Sequence, residues 1–336
     1  MMSESIVMVP GAQADPIQQF YQGKTITIIA STGAGGPYDI TARALARHMP
    51  RYIPGNPAMI VRNMPGGGHM LATNHMFNQA AKDGTAIATV ANTIPIHQVL
   101  DGKGVRYDAR QFNWIGSTGS SNLLTVAWHT SGVKSVKDAK TKEVPTGATG
   151  AGSGTALYPA VMNHLLGTKF KMVMGYKTSG DIDLAMERGE VAVRSGGSYA
   201  GLVHDHPDWL KDKKVHILTQ IGAEREPELP DVPLMHELAQ NDEQRDILKL
   251  ISSPVSLGRP FFAPPEVPAD RVAALRKAFE ATMKDGEFLK EAKQLNLDLN
   301  PISGQEVEKI VKDTIEVPKG ILAKAQAAMG PSGEAN

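Results

Sequence analysis

Residues 24–48 read Lys24-Thr-Ile-Thr-Ile-Ile-Ala30, then Ser31-Thr-Gly-Ala-Gly-Gly-Pro37, then Tyr38-Asp39-Ile-Thr-Ala-Arg43-Ala-Leu-Ala-Arg-His48. The first piece is a β-branched run and predicts a strand. The second is a turn of small residues. From Asp39 to His48 the chain reads as a helix. Asp39 stands in its first turn, where a carboxylate is favoured by the helix dipole. Arg43 follows four residues later, in position to pair with it. The unit then repeats: a strand over Ala58–Arg62, a turn at Pro65–Gly68, a helix over Met70–Ala81, an Asp83-Gly84 turn and a third strand over Thr85–Ala91. Strand and helix alternating across short connections predict a parallel sheet in an α/β layer.

Beyond Gly116 the pattern breaks. Asn122–Trp128 is an apolar run, and the alternation restarts at Val144–Gly147, with the turn Ala148-Thr-Gly-Ala-Gly-Ser-Gly154 leading into a helix over Thr155–Leu166. Strands are expected at Phe170–Met174, Glu190–Arg194 and Lys214–Ile221, with a helix over Gly180–Arg188. This is a second α/β unit. Val255–Ala263 is a further apolar segment, and Pro268 precedes a helix carrying Val272, Leu275, Phe279 and Met283 at helical spacing. Ser303-Gly-Gln-Glu306 has the form of a capping box opening a last helical region, interrupted at Pro318. The segment after Val255 holds helices but no clear parallel strand, so it is expected to pack on the first unit, with the chain crossing near 117–128 and again near 254–263.

The chain has 336 residues, enough for two domains at ~100–200 residues each. Hydrophobic residues are 41% and charged residues 21%, a balance that builds a core and excludes a disordered chain. Thirty-five basic and 35 acidic side chains cancel, which argues against a nucleic-acid partner held by phosphate contacts. Cysteine is absent, which removes disulfides, thiolate nucleophiles and thiolate-ligated metals. No apolar run approaches the ~18–20 residues of a membrane span. Ala12-Gln13-Ala14 has the form of a secretory cleavage site, so residues 1–19 read as a leader remnant or a disordered tail, with order from about Phe20.

Catalytic and nucleotide motifs fail in turn. Gly150-Ala-Gly152-Ser-Gly154 lacks the GxGxxG spacing, and the strand after it ends in Gly175-Tyr176 rather than an acid. GxxxxGK[ST], HExxH and GxSxG are absent, and the nearest approach to the last, Gly196-Gly-Ser198-Tyr-Ala200, ends in Ala. Ten histidines are scattered, with only His204 and His206 close together, so no metal or cofactor is expected. The positive signal is the pair of small-residue turns at 31–37 and 148–154. Each joins a strand to a helix, where backbone N–H groups and the helix dipole favour an anion and hydroxyls add donors. Ordinary βα loops also favour small residues; one turn in each unit favours a two-sided anion site.

Further motifs carry a resemblance. Gly35-Gly-Pro-Tyr-Asp39-Ile-Thr-Ala-Arg43, Ile53-Pro-Gly-Asn-Pro57, Asn63-Met-Pro-Gly-Gly-Gly68 and Ala72-Thr-Asn74 are similar to segments of the tripartite tricarboxylate transporter receptors, also called Bug receptors. Lys82-Asp-Gly-Thr85, Gly147–Ser153, Gly175-Tyr-Lys177, Leu184–Glu190, Leu229–Pro233 and Gly258-Arg-Pro260 extend the likeness over roughly Phe20–Met329. The resemblance implies a two-lobed type II periplasmic binding protein fold, two parallel-sheet-based α/β domains joined by two crossover segments. One domain would take residues 20–120 plus 258–330, the other 121–257. It further implies a monomeric periplasmic receptor without catalysis, which captures a small di- or tricarboxylate, aromatic acids included, and delivers it to membrane transporter subunits of the tripartite type.

Carried over position by position, the ligand site takes in Ala34, Gly35, Gly36 and Asp39 from the first lobe, and Thr149, Gly150, Gly152, Ser153 and Thr155 from the second. Asn92, Thr93 and Tyr176 would face the same cleft, with Asp39 orienting the loop or a water. His69 and Thr178 depart from the family's small residues at these places and leave the far end of the pocket open. Arg194, expected at a strand end in the second lobe, would either grip a second carboxylate or form a surface ion pair with a glutamate. Tyr38 and Tyr199 are candidate walls. Two other readings compete: an enzyme on the same fold, which would need a nucleophile or base pair, and a regulator's effector domain, which would need a DNA-binding segment.

Overall fold

The structure is a computed structural model that describes residues 15–329 apart from positions 101, 120, 298 and 318. The Ala12-Gln13-Ala14 tripeptide, the break at Pro318 and the tail from Gly330 therefore lie outside the described residues. Order begins earlier than Phe20: Pro16–Tyr21 is a helix, Asp15 caps it by accepting from the Ile17 N–H, and Tyr21 is buried.

Eleven strands are named in chain order: β1 (Thr25–Ala30), β2 (Ala58–Asn63), β3 (Ala86–Thr89), β4 (Asn113–Ser117), β5 (Leu123–Trp128), β6 (Val144–Ala148), β7 (Phe170–Met174), β8 (Val193–Ser198), β9 (Val215–Ile221), β10 (Pro260–Ala263) and β11 (Ile302–Ser303). They form two sheets, ordered β11-β4-β10-β3-β1-β2 and β7-β6-β8-β5-β9. The repeat seen in the sequence is visible in both. Strands β2-β1-β3 run parallel, as do β7-β6-β8, because each connection is a helical crossover that returns the chain in the same direction. The next strand in each sheet is antiparallel: β10 pairs with β3 and β4, and β5 with β8 and β9. These are the strands the chain makes just after passing from one sheet to the other. The segment after Val255 thus contributes two short antiparallel strands, β10 and β11, to the first sheet.

β1 sits inside its sheet, so both its faces are covered. Ile26, Ile28 and Ala30 join one apolar cluster with Leu45, Phe261 and Phe279, while Ile29 joins another with Trp114 and Phe262, following the two-residue period of a strand. Burial of each isoleucine contributes roughly 1.5–3 kcal/mol. The second sheet has its own two clusters. One, around Val144, Phe170 and Val193, also takes in Ile96 and Leu100 from the helix Ile94–Leu100 and Ala325 from the C-terminal helix Lys319–Met329. The helix Gly304–Ile315 opens on the expected box, with Ser303 Oγ accepting from the Glu306 N–H and the Glu306 carboxylate accepting from the Ser303 N–H. No helix among the described residues is long and apolar enough to cross a membrane.

Candidate functional site

The loops after the parallel strands of both sheets face each other across a cavity of about 360 Å³. From the first lobe, the loop after β1 leads into the helix Pro37–His48, with Gly36 at its N-cap and Pro37 in its first turn. Asp39 is 2% exposed and lies behind this loop rather than on the cavity wall. Its carboxylate accepts from the Gly35 N–H at 2.9 Å, Arg43 Nε at 3.0 Å and Asn63 Nδ2 at 2.8 Å. Burial opposes its ionisation, but the bonds from Arg43, Gly35 and Asn63 outweigh burial and hold its pKa below the usual carboxylate range. Asp39 ties the loop to β2 through Asn63.

In the second lobe, the loop after β6 closes on itself. Ser153 Oγ donates to the Gly150 carbonyl at 2.7 Å and lies 2.5 Å from Thr155 Oγ1, which accepts from the Thr149 N–H at 2.9 Å. The Ser153 proton is thus committed within the loop and leaves an acceptor rather than a donor.

Of the residues expected from the sequence, Gly35, Gly36, Tyr38, Asn92, Thr149, Ser153, Thr155 and Arg194 line the cavity. Ala34, Asp39, Thr93, Gly150, Gly152 and Tyr176 do not. Ala34 is exposed. Tyr176 packs half-buried against the cluster of Ile182 and Trp209. Gly150 and Gly152 meet the first lobe: the Gly152 N–H donates to the Gly67 carbonyl at 3.3 Å, Thr93 Oγ1 donates to the Gly152 carbonyl at 2.7 Å, and a Cβ on Gly150 would run into Gly68. The Gly66–Gly68 turn and the loop after β6 are in backbone contact across the cleft.

Arg194 does not end a strand. It is the second residue of β8, which continues to Ser198. The ladder between β5 and β8 skips Gly196, whose φ is +77°, so the glycines that read as a loop are carried through the strand by a bulge. Nor is Arg194 at the surface. It is 5% exposed, with Nε 2.5 Å from Asp183 Oδ1, and His206 Nε2 lies 3.2 Å from Asp183 Oδ2. Burial again opposes ionisation of Asp183, and the Arg194 charge and His206 bond override it, so its pKa is lowered.

The cavity also holds His69 and Thr178, which the sequence reading put at the far end of the pocket, and Arg259, which it did not name as a site residue. His69 starts the helix Met70–Asn78 from a left-handed backbone, φ +77°, and lines the cavity with its ring edge-on to Tyr38 at 5.0 Å. Ser31 Oγ donates to the Thr89 carbonyl at 2.8 Å, so at 2.7 Å it accepts from His69 Nδ1–H and selects that tautomer. Burial pushes the His69 pKa down to about 4, leaving the ring neutral. Arg259, on the return crossover beside Gly258, lines the cavity as well. The motif Gly258-Arg-Pro260 was its only sequence signal. Elsewhere, His48, Asp285 and Glu287 have side-chain atoms within 4.8 Å of one another. Arg51 already sits there, 2.7 Å from Glu287 and 3.6 Å from Asp285, so a metal ion would have to displace a guanidinium.

The sequence profile described as "Tripartite tricarboxylate transporter family receptor" matches residues 41–326. The chain belongs to this family. Its members are solute receptors rather than enzymes, so this receptor performs no turnover. No curated protein matches it in sequence. Among solved structures, the periplasmic binding protein BugD is similar with a TM-score of 0.72 at 19% identity, over 92% of this chain and 98% of that one. MatC from Rhodopseudomonas palustris, solved with bound malate, has a TM-score of 0.70 at 19% identity, over 91% and 99%. An R. palustris protein solved with adipate has a TM-score of 0.69 at 17% identity, over 91% and 97%. These likenesses confirm the two-lobed periplasmic binding protein fold.

Proposed function

We propose that this receptor works in the periplasm as a monomer. It captures a small carboxylate between its lobes and hands it to the membrane subunits of a tripartite-type transporter. The carrying observation is a cavity walled from both lobes by the loops after β1 and β6, whose small residues bring backbone to the ligand. The malate and adipate held by two structures of the same fold support the ligand class. In this reading one lobe comprises 20–120 plus 258–330 and the other 121–257, with the C-terminal helix strapping them together through Ala325. Gly35, Gly36, Tyr38, Asn92, Thr149, Ser153 and Thr155 form the ligand's surroundings, and Asp39 holds the first loop in shape.

A thermal-shift screen against aliphatic and aromatic mono-, di- and tricarboxylates tests this. A ligand that binds only the native state raises the melting temperature, by RT ln(1 + [L]/Kd) in free energy. Carboxylates should raise it while the matching amides do not. Equal responses to acids and amides would remove the carboxylate reading.

A further inference from the structure

A carboxylate entering the cleft needs a cation, and the cleft holds two guanidinium groups in different states. The Arg194 charge is compensated, since it and Asp183 are both buried and in contact, with His206 on the second Asp183 oxygen. An incoming anion attracted by Arg194 would meet the Asp183 charge at nearly the same distance, so the pair is close to neutral toward it. Arg259 is different. The two crossover segments run side by side here: a Cβ on Gly258 would stand 2.2 Å from the Gly119 carbonyl, and the Arg259 carbonyl accepts from the Thr118 N–H at 3.4 Å. This contact fixes the Arg259 backbone and sends its side chain to the cavity wall. Its Nη1 is buried and has no hydrogen-bond partner among the described residues.

Buried polar atoms without partners are rare in native proteins and call for an explanation. Among the described residues these atoms are Thr32 Oγ1, Thr89 Oγ1, Thr118 Oγ1, Tyr158 Oη and Arg259 Nη1, and those of Thr32 and Arg259 belong to residues of the cavity wall.

We propose that Arg259 is the anchoring cation of the cleft, receiving one ligand carboxylate with the Thr32 hydroxyl on the same cavity wall, whereas Arg194 serves the fold of the second lobe. The proposal rests on the receptor reading above. It also narrows the ligand class: the ligand is held by one carboxylate at Arg259.

Wild-type protein, Arg259→Gln and Arg259→Lys are melted and titrated calorimetrically with malate, adipate and citrate. At least one acid raises the wild-type melting temperature. For that acid, Arg259→Gln loses about 30-fold or more in affinity, as expected when a charge-assisted pair is removed. Its ligand-free melting temperature stays at or above the wild-type value, because a buried donor atom without a partner has been removed from a half-buried side chain. Arg259→Lys keeps the charge, loses the fork and binds between the two. Affinity of Arg259→Gln within about threefold of wild type overturns the assignment, as does a lower ligand-free melting temperature in both variants, which marks a structural role. A wild-type protein that responds to none of the acids overturns the receptor reading instead, and the Arg259 assignment with it.

Discussion

Gly150 of the second lobe lies so close to Gly68 of the first that a Cβ on Gly150 would stand 2.3 Å from the Gly68 amide nitrogen. A Cβ on Gly68, whose φ is +62°, would in turn stand 2.5 Å from the Gly150 carbonyl oxygen. These glycines set how closely the lobes approach, and through that distance they shape the cavity between them.

Gly150→Ala should therefore hold the lobes apart without unfolding either. Solution scattering should give a larger radius for the variant than for wild type at saturating ligand, with unchanged circular dichroism. Affinity should fall about tenfold or more, because the closed, binding-competent state becomes a minor one. A variant that contracts with ligand as wild type does would remove the latch.

Acid should weaken the fold through His69. Its folded pKa is lowered from 6.5 to about 4 by burial, so between these values the unfolded chain takes up a proton that the native ring refuses. Stability is fully present above about pH 6.5 and falls as the pH drops toward 4, by about 3 kcal/mol from this group. Urea unfolding at a series of pH values should flatten over this window in His69→Gln, relative to wild type. Parallel curves for the two proteins would assign the acid sensitivity to other groups.

Breaking the Arg194–Asp183 pair should cost stability rather than selectivity. Asp183→Asn leaves the Arg194 charge buried without its counter-ion, and Arg194→Ala leaves the Asp183 charge with only His206; each change should destabilise by about 3–5 kcal/mol. In calorimetric titrations Arg194→Ala should weaken adipate and hexanoate to the same degree. A loss confined to adipate would return Arg194 to the role of second-carboxylate ligand.

Much of the fold was legible along the chain. The β-branched run at Thr25–Ala30, the apolar run at Phe170–Met174, the helix read from Asp39, which the structure starts two residues earlier at Pro37, and the capping box at Ser303 are local patterns, and local backbone preference decides them. The parallel direction of β2-β1-β3 and of β7-β6-β8 follows from repeated helical crossovers; their order in the sheet was not legible. The strands β5 and β10 were legible only as apolar runs, since direction in a sheet depends on where the chain arrives from. β8 was misjudged because glycine is read as a strand breaker, whereas Gly196 sits in a bulge that the partner strand supports.

By itself the sequence determined the fold family, the two small-residue turns and the place of Asp39 beside Arg43. Tertiary structure alone decided which groups face the cleft. Arg194, the second residue of β8, and Arg259, just before β10, are the same residue type, and spacing does not distinguish them. The difference is a partner eleven residues upstream of one, brought within 2.5 Å by the packing of the helix Ser179–Glu187 on β8, and none for Nη1 of the other among the described residues. Charge compensation depends on distance in space, and that distance exists only once the lobes are folded and meet.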